Sequence, residues 1–311
     1  MCIRDRDDVA LCVVPLFHIL GLNSQLNLSL FVGATIVLQE RFDPMTVFET
    51  IRDERITVLV APPTVWAALS QIDLVPTDAL STVRIAISGA AALPERVVEE
   101  VMGRFGVRIL EGYGLTEAAP GVTIAGEDDT PVGSIGRPFV GVEVRVVDDS
   151  GADVYVGDAG EVLVRGPNVF SGYLDDEEAT AAALDADGWL HTGDIAVVDD
   201  DGYLFLVDRS KDLIIVSGFN VYPAEVESVL RAHPRIADAG VVGIPHPHTG
   251  ETVKAFVVVE DDVIEEDDVI EWCASQFARY KCPTKVDVID EIPRGLGGKI
   301  LRRALVDPDD A

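Results

Sequence analysis

The chain has 311 residues, more than the roughly 100–200 residues of a typical domain, and this length predicts about two domains. Hydrophobic residues make up 48% and charged residues 25%, which excludes wholesale disorder. The 54 acidic and 24 basic residues give a net charge of −30, which excludes nucleic-acid binding because such a surface repels phosphate backbones.

Short apolar runs alternate with helical patterns in the first part of the chain. This alternation predicts a mostly parallel α/β sheet. The predicted strands are residues 9–14, 34–38, 57–60, 83–87 and 107–110. Residues 44–55 and 94–105 are predicted to be the covering helices, because each pattern starts near a proline, which the first turn of a helix tolerates.

Residues 9–39 carry no charged side chain, but they do not have the composition of a membrane span. Pro15, His18, Gly21 and several amide and hydroxyl side chains interrupt the stretch, which favours buried strands, a loop and a helix. A secretory signal peptide is also a poor fit, because acidic residues at positions 5, 7 and 8 stand where its basic region should be. Four scattered cysteines support neither a zinc site nor disulfides, so the predicted location is the cytoplasm.

The pattern changes after about residue 130. Strands at 142–147, 161–165 and 203–207, separated by turn signals, predict a small antiparallel β-barrel. From residue 208 the chain predicts a separate α+β domain, with helices at 223–232 and 267–278 and strands at 239–242, 252–259 and 285–288. The fold class is therefore α/β: a parallel α/β subdomain (about 7–130), a β-barrel subdomain (about 131–207) and a small C-terminal domain (208–311).

The basic residues are unevenly distributed. Of the 24, only five are lysines, and all five lie in the last third of the chain. A dense carboxylate shell with few lysines stays hydrated at high salt, where its self-repulsion is screened, so we predict a halophilic source.

Two small-residue segments carry the first chemical signal. Gly112-Tyr-Gly-Leu-Thr-Glu117 follows a predicted strand, and Ser88-Gly-Ala-Ala-Ala-Leu93 ends the preceding one, so both would line the ligand-binding edge of the sheet. The glycines would admit phosphate to backbone amides, Thr116 could bind phosphate and Glu117 could hold Mg²⁺. A plain glycine turn with a helix cap is the alternative for the Gly112 segment.

These two segments and four others, taken in their order along the chain, resemble motifs of the adenylate-forming superfamily of acyl-CoA synthetases, adenylation domains and luciferases. The resemblance covers residues 9–303. The four others are Gly188-Trp-Leu-His-Thr-Gly-Asp194, Asp208-Arg-Ser-Lys-Asp212, Ser217-Gly-Phe-Asn-Val-Tyr-Pro-Ala-Glu225 and Pro293-Arg-Gly-Leu-Gly-Gly-Lys-Ile-Leu-Arg302. The segment ending at Glu225 is similar to that of long-chain fatty acid–CoA ligases. The resemblance makes residues 7–207 the C-terminal part of a large AMP-binding domain and residues 208–311 a small mobile domain.

The resemblance implies ATP, Mg²⁺ and CoA as the small molecules bound, and it assigns roles to the nucleotide site. Thr116 would contact phosphate and Glu117 would ligate Mg²⁺. The residues implied to surround adenine and ribose are Ser88, Gly89, Ala90, Gly112, Tyr113, Gly114, Asp194 and Arg209.

The resemblance also assigns roles in the small domain. Lys299 would reach the substrate carboxylate and the α-phosphate during adenylation. Lys211, in a hinge near residues 208–212, would be the point about which the domain turns for thioester formation. Gly218 would allow close approach of the pantetheine arm of CoA.

Pro15-Leu-Phe-His-Ile-Leu-Gly21 resembles the family's acyl-pocket motif, with His18 near the substrate carboxylate. A histidine satisfied within the core is the alternative for His18. No acidic residue lies between positions 9 and 39 to pair with an amine, so a carboxylate without an α-ammonium group is favoured. An aliphatic chain suits the surrounding residues better than a small acid does, because four are apolar and three alanines leave room: Phe17, Ile19, Leu20 and Leu22, with Ala90, Ala118 and Ala119.

The family's phosphate loop, rich in Ser, Thr and Gly and ending in Lys, belongs upstream of Val9 and is not in this sequence. We therefore expect an N-terminally truncated AMP-forming acid–thiol ligase that acts on medium- to long-chain fatty acids. Two alternatives stay open: a ligase for aryl or other carboxylates, and a truncated fragment that binds nucleotide or acyl ligands without catalysis. A homodimer and peripheral membrane contact also stay open.

Overall fold

The computed structural model describes residues 5–126, 130–209, 212–259, 264–295 and 298–306, with only the backbone of residues 208 and 209. Contacts divide the chain into two compact units. The first comprises Met1–Thr192 and Val197–Leu206, and the second comprises Gly193–Ala196 and Val207–Ala311. Among the described residues, no helix is long and apolar enough to cross a membrane.

A seven-stranded sheet organises the first unit. Its strands are β1 (Val9–Cys12), β2 (Thr35–Leu38), β3 (Val58–Ala61), β4 (Ile85–Ser88), β5 (Ile109–Gly114), β6 (Gly121–Ile124) and β7 (Arg137–Pro138). They lie in the order β2-β1-β3-β4-β5-β6-β7, with β1 to β5 parallel and the last two pairings antiparallel. The predicted parallel α/β sheet is confirmed, and the carboxyl ends of β1 to β5 share one edge.

Four helices accompany these strands: α1 (Leu28–Val32), α2 (Pro44–Glu54), α3 (Pro63–Ser70) and α4 (Glu95–Phe105). α2 begins where predicted, because Asp43 accepts a hydrogen bond from the Thr46 amide at 2.8 Å and Pro44 fills the first turn. α3 is absent from the predicted elements because its sequence is almost uniformly apolar, so no amphipathic periodicity marks it. Trp66 of α3 is fully buried in the core of this unit, together with Leu11 and Leu59.

A four-stranded antiparallel half-barrel occupies the region predicted to form the small barrel. Its strands are β8 (Glu143–Val147), β9 (Ala159–Arg165), β10 (Leu190–Val198) and β11 (Leu204–Arg209), in the order β11-β10-β9-β8. The short helix α5 (Glu177–Ala183) lies between β9 and β10 in the chain.

The second unit packs two helices on a five-stranded sheet. Its elements are β12 (Ile214–Val216), β13 (Phe219–Val221), α6 (Pro223–Arg231), β14 (Ile236–His246), β15 (Gly250–Val259), α7 (Glu266–Gln276) and β16 (Lys285–Val288). β14 and β15 form a long antiparallel pair, and β16 joins β15 in parallel. β14 is longer than the predicted strand 239–242, because a bulge near Asp238 and a proline at 245 break its apolar alternation.

Candidate functional site

The structure brings the two small-residue segments together at the carboxyl edge of the first sheet. Ser88 ends β4 and is in register with Glu111 of β5. A Cβ atom added to Gly89 would lie 3.3 Å from the Gly112 carbonyl oxygen, so glycine permits this close approach. Ser88 Oγ is buried and has no hydrogen-bond partner among the residues that the structure describes. Ala90 follows in the left-handed region, with φ of 77°.

The glycines of the Gly112 segment lie in a strand and not, as predicted, in a loop. β5 continues to Gly114, and Gly112 and Tyr113 pair with β6. Tyr113, the residue implied to flank adenine, is buried. A Cβ at Gly114 would lie 1.8 Å from the Pro120 carbonyl oxygen, so only glycine fits where the chain folds back. The glycines resemble a turn in the sequence because the partner strand that pairs with them comes later in the chain.

Thr116 and Glu117 occupy the first two positions of a single 3₁₀ turn, Thr116–Ala118, directly after β5. Asn168, which follows β9, fixes this turn: its amide nitrogen donates to the carbonyl oxygens of Ala118 at 2.9 Å and Gly121 at 2.8 Å. The Phe170 amide donates to the Glu117 carbonyl oxygen at 2.8 Å. The backbone that carries the predicted phosphate and Mg²⁺ residues is therefore held from outside the sheet.

Tyr173 is a site residue that the sequence reasoning missed. Its hydroxyl donates a 2.7 Å hydrogen bond to Oε1 of Glu117. This bond, with burial and the charge of Glu117, raises the pKa of Tyr173 to about 12. The contact joins residues 56 positions apart and leaves no local signal in the sequence.

The donor set at this turn fits magnesium. Mg²⁺ takes oxygen ligands and is usually held by one or two carboxylates together with substrate phosphates. The Glu117 carboxylate and the Thr116 hydroxyl supply protein oxygens of that kind on one turn. Within the described part of the chain, no group of three or more His, Cys, Asp or Glu side chains could hold a metal by itself.

Glu111 is a second carboxyl that the sequence reasoning missed. Its Oε2 accepts a long hydrogen bond, 3.4 Å, from the Leu93 amide. Burial raises the pKa of Glu111 to about 7, and the bond from Leu93 offsets only part of that shift. A carboxyl group that titrates near neutral pH therefore lies beside Gly112.

His18 lies just before a π-helical segment, Leu20–Asn27, and is half-buried. Its Nδ1 accepts a hydrogen bond from the Leu20 amide at 3.1 Å. This bond supports the core interpretation of His18, and contact with a substrate carboxylate stays a prediction. Phe17 is 76% exposed, in contrast to the expected lining of an acyl pocket.

The remaining residues of the predicted nucleotide site and hinge are described only in part. Asp194 is buried in β10. Arg209 ends β11 with its side chain outside the described residues, and all of Lys211 lies outside them. Gly218 forms the tight turn between β12 and β13 with Ser217, at φ of 82° and 52°, a type I′ geometry that needs two positive φ angles. Apart from its two chain neighbours, no described residue has an atom within 4 Å of a Cβ placed on Gly218.

Lys299 is exposed on a small hairpin of the second unit. Arg294 and Ile300 form an antiparallel bridge at its base. The Gly295 amide donates to the Lys299 carbonyl oxygen at 2.8 Å, and the Leu301 amide donates to the Pro293 carbonyl oxygen at 2.8 Å. Residues 296 and 297 lie outside the described residues.

Comparisons with protein families gave two matches. A family model described as AMP-binding enzyme matches residues 2–174, and a model described as AMP-binding enzyme C-terminal domain matches residues 225–299.

Individual proteins are similar over almost the whole chain. A 3-[(3aS,4S,7aS)-7a-methyl-1,5-dioxo-octahydro-1H-inden-4-yl]propanoyl:CoA ligase from Rhodococcus jostii is 42% identical over 96% of this chain and 57% of its own length. The 4-coumarate–CoA ligase 2 of Oryza sativa is 44% identical over 96% of this chain and 54% of its own. The crystal structure of ATP-bound MatB from Rhodopseudomonas palustris superposes with a TM-score of 0.92 at 35% identity, covering 97% of this chain and 60% of its own. The chain thus spans little more than half the length of these relatives.

Proposed function

The chain belongs to the AMP-binding enzyme family, and from that premise we propose that it is the C-terminal part of an ATP-dependent ligase that joins a carboxylic acid to CoA. One observation carries the proposal: Ser88 and Gly89 lie beside Gly112 at the carboxyl edge of the sheet, and the 3₁₀ turn with Thr116 and Glu117 directly follows β5. This arrangement supplies backbone, hydroxyl and carboxylate oxygen groups where open α/β sheets bind nucleotides.

The proposed reaction has two halves. In the first, the substrate carboxylate attacks the α-phosphate of ATP, a carboxylate–phosphate bond forms and pyrophosphate leaves. In the second, the CoA thiol attacks the acyl carbonyl carbon and AMP leaves as the thioester forms.

Each site residue has a task in this scheme. Thr116 donates a hydrogen bond to a phosphate oxygen, while Tyr173 orients the Glu117 carboxylate towards Mg²⁺, which would neutralise phosphate charge when bound. The two oxygens of Asp194 suit the two ribose hydroxyls. Lys299 offsets the charge that grows on the α-phosphate oxygens in the first half. For the second half, the small domain turns about Lys211.

We propose a hydrophobic acid as the substrate. The uncharged stretch from residue 9 to residue 39 offers no partner for an amino group, which argues against amino acids. The half-buried apolar residues Ile19 and Leu20, next to His18, support the aliphatic prediction. The relatives' names specify acids that carry rings, which supports the aryl alternative. A cytoplasmic location, a homodimer and peripheral membrane contact remain predictions.

Mass spectrometry of the products tests the function. The chain is incubated in molar KCl with Mg²⁺, ATP, CoA and a panel of aliphatic and aromatic acids, and the acyl-CoA formed identifies the acid. Lys299→Ala should lower the rate of acyl-adenylate formation by about 10²–10³-fold, the loss typical of a removed transition-state donor. The variant should still form thioester from supplied acyl-adenylate.

The control is Lys285→Ala, which removes an exposed lysine of β16 that belongs to no motif. Equal loss of both halves in Lys299→Ala would contradict its assigned role. Saturable AMP binding by the wild-type chain without any product, from ATP or from acyl-adenylate, would favour the non-catalytic alternative.

A further inference from the structure

Two arginines flank the hairpin that carries Lys299: Arg294 lies at its base, and Arg302 follows it at the start of a 3₁₀ turn. Both reach carboxylates on the body of the second unit. Arg294 contacts Asp238 of β14 through two hydrogen bonds, at 3.0 and 2.7 Å. Arg302 contacts Glu227 of α6 at 2.8 Å. We call these four residues, Glu227, Asp238, Arg294 and Arg302, the hairpin clamp.

The Arg294 half of the clamp reaches almost to Lys299 itself. Arg294 donates to both oxygens of Asp238 through Nη2, and through Nη1 it donates to the Gly298 carbonyl oxygen at 2.7 Å. Gly298 directly precedes Lys299 in the chain. One planar guanidinium thus connects β14 to the backbone beside the lysine, a geometry that a flexible ammonium group would not reproduce.

The Arg302 half is anchored in the interior. Glu227 is only 3% exposed and also accepts a hydrogen bond from the Val241 amide at 3.0 Å. Arg302 donates to the Val241 carbonyl oxygen at 3.1 Å as well. A buried carboxylate must be paired and hydrogen-bonded, and Arg302 and the Val241 amide are those partners of Glu227. The bonds to Glu227 and to the Val241 carbonyl oxygen in turn fix the position of Arg302.

Arg231 of α6 joins the two halves. It donates to Asp238 at 3.1 Å and to Glu227 at 3.3 Å. Burial by itself would raise the pKa of Asp238, but the bonds and charges of Arg294 and Arg231 outweigh burial and hold that pKa below its usual value. Asp238 is therefore ionised at neutral pH, and the clamp is charged on both sides.

We infer that the hairpin clamp positions Lys299 for adenylation, with Asp238 and Glu227 as positioning residues that act through Arg294 and Arg302. This inference rests on the proposed function only for the reaction that Lys299 serves. The mechanical part, that the clamp orders the hairpin, stands on the contacts alone.

Hydrogen exchange of the full chain tests the mechanical part. Asp238→Asn keeps the side-chain shape and removes the charge. We expect about tenfold faster exchange at the Gly295 and Leu301 amides, whose bonds close the hairpin, because the charge-assisted contact with Arg294 becomes a weaker neutral one. Exchange in β14 and β15 should stay slow.

Asp268→Asn is the matched control, since it makes the same change at an exposed ion pair with Arg235 in the same unit, 2.8 Å long. Hairpin exchange should not change in this variant. Unchanged exchange in Asp238→Asn would overturn the inference whatever the activity of the chain.

Half-reaction kinetics test the catalytic part. Asp238→Asn should lower kcat for acyl-adenylate formation by about tenfold, in step with the loosened hairpin, and leave thioester formation from supplied acyl-adenylate within about twofold. Asp238→Glu, which keeps the charge, should recover most of the loss.

The outcomes are distinguishable. Faster exchange with unchanged adenylation would overturn the positioning role, and parallel loss in both halves would indicate a structural role only. A wild-type chain that forms no product, either from ATP or from supplied acyl-adenylate, would overturn the proposed function, and the exchange data would then decide the clamp alone.

Discussion

At the scale of single residues, the hydrogen bond from Tyr173 to Glu117 makes a spectroscopic prediction. Glu117→Gln should lower the pKa of Tyr173 from about 12 towards the unperturbed value of about 10, because the carboxylate bond and charge that stabilise the neutral phenol are lost. Ultraviolet titration of phenolate absorbance measures this, and Tyr173→Phe identifies the signal. Glu161→Gln, at a carboxylate that contacts His191, is the control. An unchanged high-pH component in Glu117→Gln would contradict the contact.

Replacing Glu111 with glutamine should stabilise the folded protein, and the size of this effect should depend on pH. Its folded-state pKa of about 7 lies above the value of about 4.3 expected when the chain is unfolded, so the folded state binds the proton more tightly. The wild-type protein therefore loses stability as the pH rises from the unfolded pKa through the folded pKa. Glu111→Gln has no such loss and should be more stable than the wild type by up to roughly 3 kcal/mol at pH 8, but only by about 1 kcal/mol at pH 5.

Urea unfolding of both proteins at pH 5 and pH 8 measures the difference. Glu49→Gln, at an exposed carboxylate on α2, serves as the control. A pH-independent effect of Glu111→Gln would mean that Glu111 is not desolvated in the folded state.

At the scale of elements, the turn between β5 and β6 depends on a side chain outside both strands. Asn168→Ala removes the donor shared by Ala118 and Gly121 and should cost about 1–3 kcal/mol, because two carbonyl oxygens lose their partner. Denaturant unfolding gives this cost, and exchange of the Ala118 amide reports the loosened turn. Asn27→Ala, which breaks an exposed amide–amide contact, should cost less. Equal costs would show that the turn is held by its own backbone bonds.

Local sequence patterns predict several elements and the edge that carries the candidate site, but not the contacts that hold this turn. β16 has the predicted bounds and α2 ends one residue early, because local periodicity and a proline mark them. The edge of the first sheet that carries the candidate site is predictable because the carboxyl ends of parallel strands lie at one edge of a sheet. Asn168 and Tyr173 reach the turn across 50 and 56 residues, and the burial that shifts the pKa of Glu111 comes from tertiary packing. Such contacts have no period or spacing in the sequence.

At the scale of the whole molecule, the net charge of −30 predicts a strong response to salt. Screening length falls from about 10 Å at 0.1 M to about 3 Å at 1 M, so repulsion among surface carboxylates weakens over that range. We expect the melting temperature to rise steadily from 0.1 M to molar KCl and to rise similarly in NaCl. Calorimetry across the salt series checks this, with a neutral osmolyte as the control. A flat profile would contradict the halophilic interpretation of the composition.

The order of strand pairing has a further consequence, for the way the chain folds. β14 and β15 pair from Ile236–Val259 to His246–Gly250 across a turn at residues 247–249, so this ladder closes a very short loop. β1 must instead find β2 and β3 across tens of residues, at Thr35 and Val58. Because longer loops cost more entropy to close and non-local pairing is slow, the second unit should fold before the first on refolding, although the ribosome synthesises the first unit earlier. During synthesis the apolar strands of the first unit are therefore the ones that chaperones would have to protect.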